Sequence, residues 1–365
     1  MWYDHLKNAN VNIHVIATGA GAGIQQNLWN IPGSSKYLSG ASFPYDTEET
    51  IELLGFKPKS FCSEDTAIDL ASAAYMKAFK PGGKRPVGMG VTATVASAAP
   101  HRGDNRFFAS VITDNHVSLF KMTITKDVGH QARIRDGGLV DQHAFTMLLG
   151  SINKEDGGPA YTDYIDVTER ALSRFMERSF FTANGKRLET LPSSKYGTYG
   201  LMSGAFNPPH EGHFGIYDSF EELVGRKASF EITANPPHKD PLKVQELLQR
   251  AKMLQGHNRL FTSSLPLYLD KAKAFPNASF ILGADALIRM LDPKWGVDIR
   301  TLLDGFQSLN TKFYVMGRMI NDQFITVNDV VSSLSTEYRQ EYSHLFFPLE
   351  GRWDISSTEI RDKSK

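Results

Sequence analysis

Disulfides have no part in this chain. Of 365 residues only one is cysteine, Cys62, and a lone thiol has no partner within the chain. Such usage suits a reducing compartment. A dominant charge is also missing, because 40 basic side chains balance 40 acidic ones. No global field therefore draws in nucleic acid or an anionic membrane, and neither is expected as a partner. Long apolar runs are absent as well: none approaches the roughly 18 residues that span a bilayer. The opening Met-Trp-Tyr-Asp-His-Leu-Lys-Asn lacks the apolar core of a signal peptide. The expectation is a soluble protein of the cytoplasm, with the nucleus as the alternative.

What is present is chain enough for two or three domains with real cores. The richest stretch runs Gly200-Leu-Met-Ser-Gly-Ala-Phe-Asn-Pro-Pro-His-Glu-Gly-His213. The apolar run Thr198 to Met202 reads as a buried strand that breaks at Ser203-Gly204, and Pro208-Pro209 hold the next few residues extended. Phe214, Tyr217, Phe220 and Leu223 then recur at helical spacing. His210 and His213 thus fall where a strand hands over to a helix N-terminus. Unpaired N–H groups and roughly half a positive charge collect there, which favours an anion.

Beyond this stretch, strands and helices alternate as in a doubly wound parallel sheet. Ala228 to Ala234, Ser279 to Leu282, Lys312 to Met316 and Leu345 to Leu349 read as strands, and Leu242 to Leu254 as a helix. Three segments on this framework resemble, in the right order, the HxGH nucleotidylyltransferase superfamily. They are His210-Glu-Gly-His213, Asn235-Pro-Pro-His-Lys239 and Ile355-Ser-Ser-Thr-Glu-Ile-Arg361. The second resembles the PPHK segment of bacterial-type nicotinate-mononucleotide adenylyltransferases, and the third the ISSTxIR segment that holds the ATP polyphosphate. Gly283-Ala-Asp285 and Leu291-Asp-Pro-Lys-Trp295 resemble further segments of that group.

The resemblance implies a Rossmann-like α/β domain over 198–365 that joins ATP to nicotinamide or nicotinate mononucleotide, giving the dinucleotide and pyrophosphate. It implies catalytic roles for His210, His213 and Arg361. ATP contacts would come from Gly204, Phe206, Asn207, Arg318, Ser356, Ser357 and Thr358, and mononucleotide contacts from Lys239, Asp285 and Trp295. Arginine suits phosphate because its planar fork gives two parallel hydrogen bonds. Trp295 would stack on an electron-poor pyridine ring, the plain alternative being a core residue. Mg²⁺ would arrive with ATP and bridge phosphate oxygens, so no protein metal site is expected. The rival readings are the same chemistry on another phosphate acceptor and a non-catalytic pyridine-nucleotide sensor. A homo-oligomer is left open.

The first half opens with the strand Asn12 to Ala17 and the turn Thr18-Gly-Ala-Gly-Ala-Gly23, whose spacing departs from a GxGxxG dinucleotide fingerprint. Together with Ile31-Pro-Gly-Ser-Ser-Lys36 and Ser39-Gly-Ala-Ser-Phe-Pro-Tyr45, it resembles the CinA-type family, whose active members are nicotinamide-nucleotide amidohydrolases. The resemblance puts that family's nucleophilic serine at Thr18 and its lysine at Thr50, while Tyr45 is retained. Without a nearby proton acceptor a hydroxyl is a weak nucleophile, so residues 1–152 read as a degenerate CinA-like α/β domain. A bifunctional enzyme with mononucleotide deamidase activity is the alternative. Ser63 reads as a helix N-cap, Phe107 to Thr113 and Val117 to Thr125 as a hairpin, and Val140 to Ile152 as a closing helix. Arg133 and Arg135 read as a solvated basic patch or a phosphate contact. Residues 153–197 read as a linker carrying a helix from about Thr162 to Ser179.

Overall fold

The computed structural model describes residues 6, 9–157, 164–178, 180–181, 187–188, 200–237, 239–254, 259–295 and 297–363. Two compact units emerge: Met1–Phe175 with Lys243–Lys252, and Met176–Leu242 with Met253–Lys365. Among the described residues no helix is long and apolar enough to cross a membrane.

In the first unit, β1 (Val11–Thr18), β2 (Leu38–Ser42), β3 (Arg85–Thr94), β4 (Asn105–Ile112), β5 (Val117–Ile124) and β6 (Ile165–Asp166) form one mixed sheet, ordered β2-β1-β3-β4-β5-β6. β1 pairs in parallel with β2 and β3, and the remaining pairs are antiparallel. The helix Glu64–Ala78 starts at Ser63, whose Oγ accepts from Thr66 N at 3.2 Å. It lies directly on β3, because Gly88 and Gly90 present no side chain: a β-carbon at Gly90 would run into Ala67 O and Ala71 N. The closing helix is longer than its periodicity suggests, spanning His130–Glu155. Gly137-Gly138 interrupts the apolar pattern, yet both face open space and the helix passes through them.

Part of the expected linker belongs to this unit. The helix Thr168–Arg178 buries Ala171 and Phe175, and its arginines meet the acidic first turns of the helix Glu64–Ala78. Arg170 pairs with Glu64 and Asp65, and Arg174 Nε donates to Asp69 Oδ1 at 2.7 Å. Residues 189–199, which include the expected start of the organising strand at Thr198, lie outside the described part. The stretch Lys243–Lys252, which holds all but the last residue of the helix Val244–Met253 expected with the second sheet, falls in the first unit. Side-chain amides hold it there: Gln245 Nε2 donates to Thr113 O at 2.9 Å and Gln249 Nε2 to Tyr75 Oη at 2.8 Å.

The second unit contains β7 (Phe180–Phe181), β8 (Arg187–Leu188), β9 (Gly200–Gly204), β10 (Ala228–Thr233), β11 (Arg259–Ser263), β12 (Ser279–Gly283) and β13 (Lys312–Met316). A short hairpin, β14 (Arg318–Ile320) with β15 (Gln323–Ile325), precedes β16 (Phe346–Leu349). The sheet order is β16-β13-β12-β9-β10-β11-β7-β8, with β9 to β13 and β16 parallel and β7-β8 added antiparallel. The parallel part begins centrally at β9, steps out through β10 and β11, and returns to β12 before continuing to β13 and β16. This is the Rossmann-like doubly wound order. Its direction switches between β9 and β12, the place where open α/β sheets take ligands. The hairpin escaped the sequence reading because its strands, three residues each, are too short to show a period; β11 was not read either.

Replacing Gly90 by alanine is expected to destabilise the first unit by about 1–3 kcal/mol through forced separation of helix and sheet. A urea titration checks this: an unchanged first unfolding transition would contradict the close packing.

Candidate active site

The helix Glu211–Val224 begins directly after His210, which caps it in extended conformation. Two glycines on its first turns keep one face bare. A β-carbon at Gly215 would collide with the Trp353 indole, and one at Gly212 would stand 3.1 Å from Ile355 Cγ2. The C-terminal segment therefore lies against the histidine helix before turning into its own helix, Ser357–Lys363. Ser356 Oγ accepts from Glu359 N at 3.2 Å as its cap. Ser357 Oγ donates to Pro208 O at 2.9 Å, Arg361 Nη1 donates to Asn207 O, and Arg361 Nη2 reaches Thr358 Oγ1 at 3.0 Å. Two segments remote in sequence thus meet at one loop.

Within that loop the imidazoles of His210 and His213 face each other, with centroids 3.8 Å apart and planes inclined by 30°. His210 N–H donates to His213 Nδ1 at 3.2 Å. An Nδ1 that accepts leaves the proton of neutral His213 on Nε2, so that atom is a donor. Burial, reinforced by His210 and Arg318, lowers His213 from 6.5 to about 3. His210 is lowered too, by burial and then by Arg318, with Glu359 opposing. Its Nδ1 has no hydrogen-bond partner among the described residues. Beneath them Phe206 adopts a left-handed backbone, φ 46°, a conformation that costs on the order of 1–3 kcal/mol for such a residue. Packing holds it there: its ring meets His213 edge-on at 5.0 Å and Phe230 at 5.2 Å, and lies under Gly204.

The switch point supplies the other side. Asp285 opens the helix Ala284–Met290 after β12. Its Oδ2 accepts from Arg289 at 2.8 Å, and Arg318 Nε stands 3.7 Å from Oδ1. A cleft of about 310 Å³ opens beside β9 and β10, bordered by Ser203, Gly204, Thr233, Lys239, Tyr268 and Lys271. Proline and aliphatic side chains, including Pro236, Pro237, Leu269 and Met290, line much of the rest. Lys239 is exposed at its edge. Trp295 ends the 3₁₀ turn Pro293–Trp295; its side chain, like His238, lies outside the described part.

One group in the cleft went unread in the sequence. Lys271 Nζ donates to Glu231 Oε2 and to Thr233 Oγ1, both at 2.7 Å, and Ser263 Oγ donates to Glu231 Oε1 at 2.6 Å. A signal was available: Glu231 stands in an otherwise apolar and hydroxyl-bearing strand, and a buried charge requires a partner.

In the first unit Thr18 ends β1, buried and in register with Thr92. Tyr45 is exposed, and its hydroxyl accepts from Arg133 Nη2 at 2.7 Å. Thr50 is buried and donates locally, to Pro44 O at 3.1 Å and Asp46 O at 3.0 Å. Arg135 is engaged by Asp127 and Asp136.

A doubly wound sheet with a histidine-bearing loop at its switch point defines the class: residues 201–363 match the Cytidylyltransferase-like family, and this part of the chain is a nucleotidyltransferase domain. More particularly, the chain is similar to two probable nicotinate-nucleotide adenylyltransferases of Clostridium botulinum. With the Alaska E43 / Type E3 protein it shares 27% identity over 183 residues, 46% of this chain and 86% of that protein. With the Eklund 17B / Type B protein it shares 29% over 184 residues, 45% and 84% of the two chains. Among solved structures it is similar to a competence-damaged protein (CinA) superfamily protein from Escherichia coli (TM-score 0.32, 13% identity, covering 40% of this chain and 83% of that one). Another is competence/damage inducible protein CihA from Agrobacterium tumefaciens (TM-score 0.32, 16% identity, 42% and 95%).

The lowered His213 pKa carries a stability consequence. As pH falls below 6.5 the unfolded chain takes up a proton at this residue that the folded chain refuses until about pH 3. Its contribution is therefore complete above 6.5 and is lost progressively between those values. His213→Gln is expected to flatten that part of the acid limb of stability, read as urea midpoint against pH; identical slopes would contradict a buried neutral imidazole.

Proposed function

We propose that the second unit transfers the adenylyl group of ATP to nicotinate or nicotinamide mononucleotide, forming the dinucleotide and releasing pyrophosphate. The observation that carries this reading is the fastening of Ser357 and Arg361 to the carbonyls of Pro208 and Asn207. It gathers imidazole, hydroxyl and guanidinium donors at one loop. Phosphoryl transfer asks a protein mainly for position and charge stabilisation. The names of the two clostridial relatives point to the same pyridine-nucleotide acceptor.

In this reading the 5′-phosphate oxygen of the mononucleotide attacks the α-phosphorus while the bond to pyrophosphate breaks. No covalent enzyme intermediate is required. His213 Nε2–H and His210 stabilise the charge building on the α-phosphate as neutral donors. Ser356, Thr358, Arg361 and Arg318 hold the β- and γ-phosphates, and Gly204, Phe206 and Asn207 shape the loop beneath them. Lys239, Asp285 and Trp295 receive the mononucleotide. Mg²⁺ enters as part of the substrate, MgATP, because the donors at the loop suit phosphate oxygens better than a cation. The chain works in this reading as a cytoplasmic enzyme of dinucleotide synthesis.

Incubation with ATP, Mg²⁺ and each mononucleotide, with dinucleotide and pyrophosphate measured, tests the reaction. Product from phosphopantetheine or a phosphoalcohol instead would indicate another acceptor, and binding without product a sensor. His213→Ala is expected to lower turnover by roughly 10²–10³-fold; near-normal turnover would remove His213 from the chemistry.

The first unit, in the same reading, is a CinA-like domain with little or no deamidase activity. Position 50, where the resemblance puts the lysine, carries a threonine, and its hydroxyl donates to backbone carbonyls. Ammonia release from nicotinamide mononucleotide by the full chain without ATP is expected to be negligible. Steady multiple turnover would show a bifunctional enzyme.

A further inference from the structure

Ser203, Thr233 and Lys271 give the cleft beside β9 and β10 a polar floor, and Glu231 is buried behind it. Glu231 and Lys271 form a buried pair at 2.7 Å, their side chains 1% and 4% exposed. Glu231 accepts from three directions, from Lys271, from Ser263 Oγ and from Thr233 Oγ1 at 3.1 Å. The Thr233 hydroxyl donates to Glu231 and accepts from Lys271, which leaves it one lone pair. The ammonium has spent two of its three donors on these partners. Ser203 Oγ, at the end of β9 on the same cleft, is buried without a hydrogen-bond partner among the described residues. The floor therefore offers an acceptor, a donor and one hydroxyl able to do either, and its buried charges cancel.

Charge decides what such a floor accepts. A free buried lysine would attract a carboxylate strongly. Here the countercharge is already built in, and a second anion would have to lose its water beside the buried carboxylate of Glu231. A neutral group that both donates and accepts meets the floor without that cost. Resting on the mononucleotide reading above, we infer that the Glu231–Lys271 pair is the specificity-determining element of the cleft and selects the pyridine carboxamide over the carboxylate. Nicotinamide mononucleotide is then the preferred acceptor. Lys239 and Arg289, at the same cleft, serve the phosphate end of the ligand.

The experiment measures affinity for each mononucleotide calorimetrically without ATP, and pyrophosphate release with MgATP, for the full chain and for Glu231→Gln. Glutamine keeps the shape and the acceptor oxygen but removes the anion, so Lys271 becomes an uncompensated cation. The wild type is expected to favour the carboxamide by about tenfold or more, the scale of a well-matched pocket contact. Glu231→Gln is expected to move the ratio toward the carboxylate by a similar factor. Should that variant fail to fold, the neutral pair Glu231→Gln with Lys271→Met is expected to bring the affinity ratio close to one. A wild type that prefers the carboxylate or binds the two equally overturns the inference, and so does a ratio unmoved by the substitutions. Carboxamide-selective binding without pyrophosphate release would leave the inference standing and refute adenylyl transfer. Failure to bind either mononucleotide would refute both.

Discussion

The loop that leads into the histidine helix of the second unit is held by hydrogen bonds between the C-terminal helix and the carbonyls of Asn207 and Pro208. A loop with two prolines has few N–H groups of its own and leaves carbonyls in need of donors. Ser357 and Arg361 supply those donors from the far end of the sequence, and in doing so they take up a fixed place beside His210 and His213. The bare face of the histidine helix permits the approach. Gly212 and Gly215 leave room for Ile355 and Trp353, where any β-carbon would push the C-terminal segment away.

The imidazole pair shows how burial sets chemistry. Two rings 3.8 Å apart next to an arginine cannot both hold a proton cheaply, and desolvation acts in the same sense. Both pKa values move down. His213, lowered to about 3, is neutral across the physiological range, and the backbone N–H of His210 sets its tautomer. Burial is met differently at the cleft, where Glu231 and Lys271 are each other's partner at 2.7 Å and hydroxyls supply further hydrogen bonds.

The first unit shows a different economy. Its sheet and the helix Glu64–Ala78 approach so closely that glycine is required at 88 and 90. Two of the residues that resemble a hydrolytic site have hydrogen-bond partners in the structure, one distant in sequence and one local. Tyr45 is bound by Arg133, and Thr50 by its own turn.

Much of the second sheet could be read from the chain alone, since buried parallel strands are continuous apolar runs and the motifs follow strand ends. β9, β10, β12 and β13 lie close to where periodicity put them, and the handover from strand to helix at His210 follows from Gly204, Pro208 and Pro209. Local pattern also capped the helix at Ser63. Several other things required the folded molecule, because they are contacts between residues distant in sequence. The assignment of the helices Thr168–Arg178 and Val244–Met253 to the first unit rests on Arg170, Arg174, Gln245 and Gln249, whose partners no periodicity identifies. The Lys271–Glu231 network joins a strand to a helix that a spacing rule would never pair. The sequence alone determined which residue types and which motifs the chain carries, since those are local. Only the tertiary structure decided which carbonyl Arg361 would find and which charge Glu231 would meet, because a hydrogen bond or ion pair depends on distance in space and not along the chain.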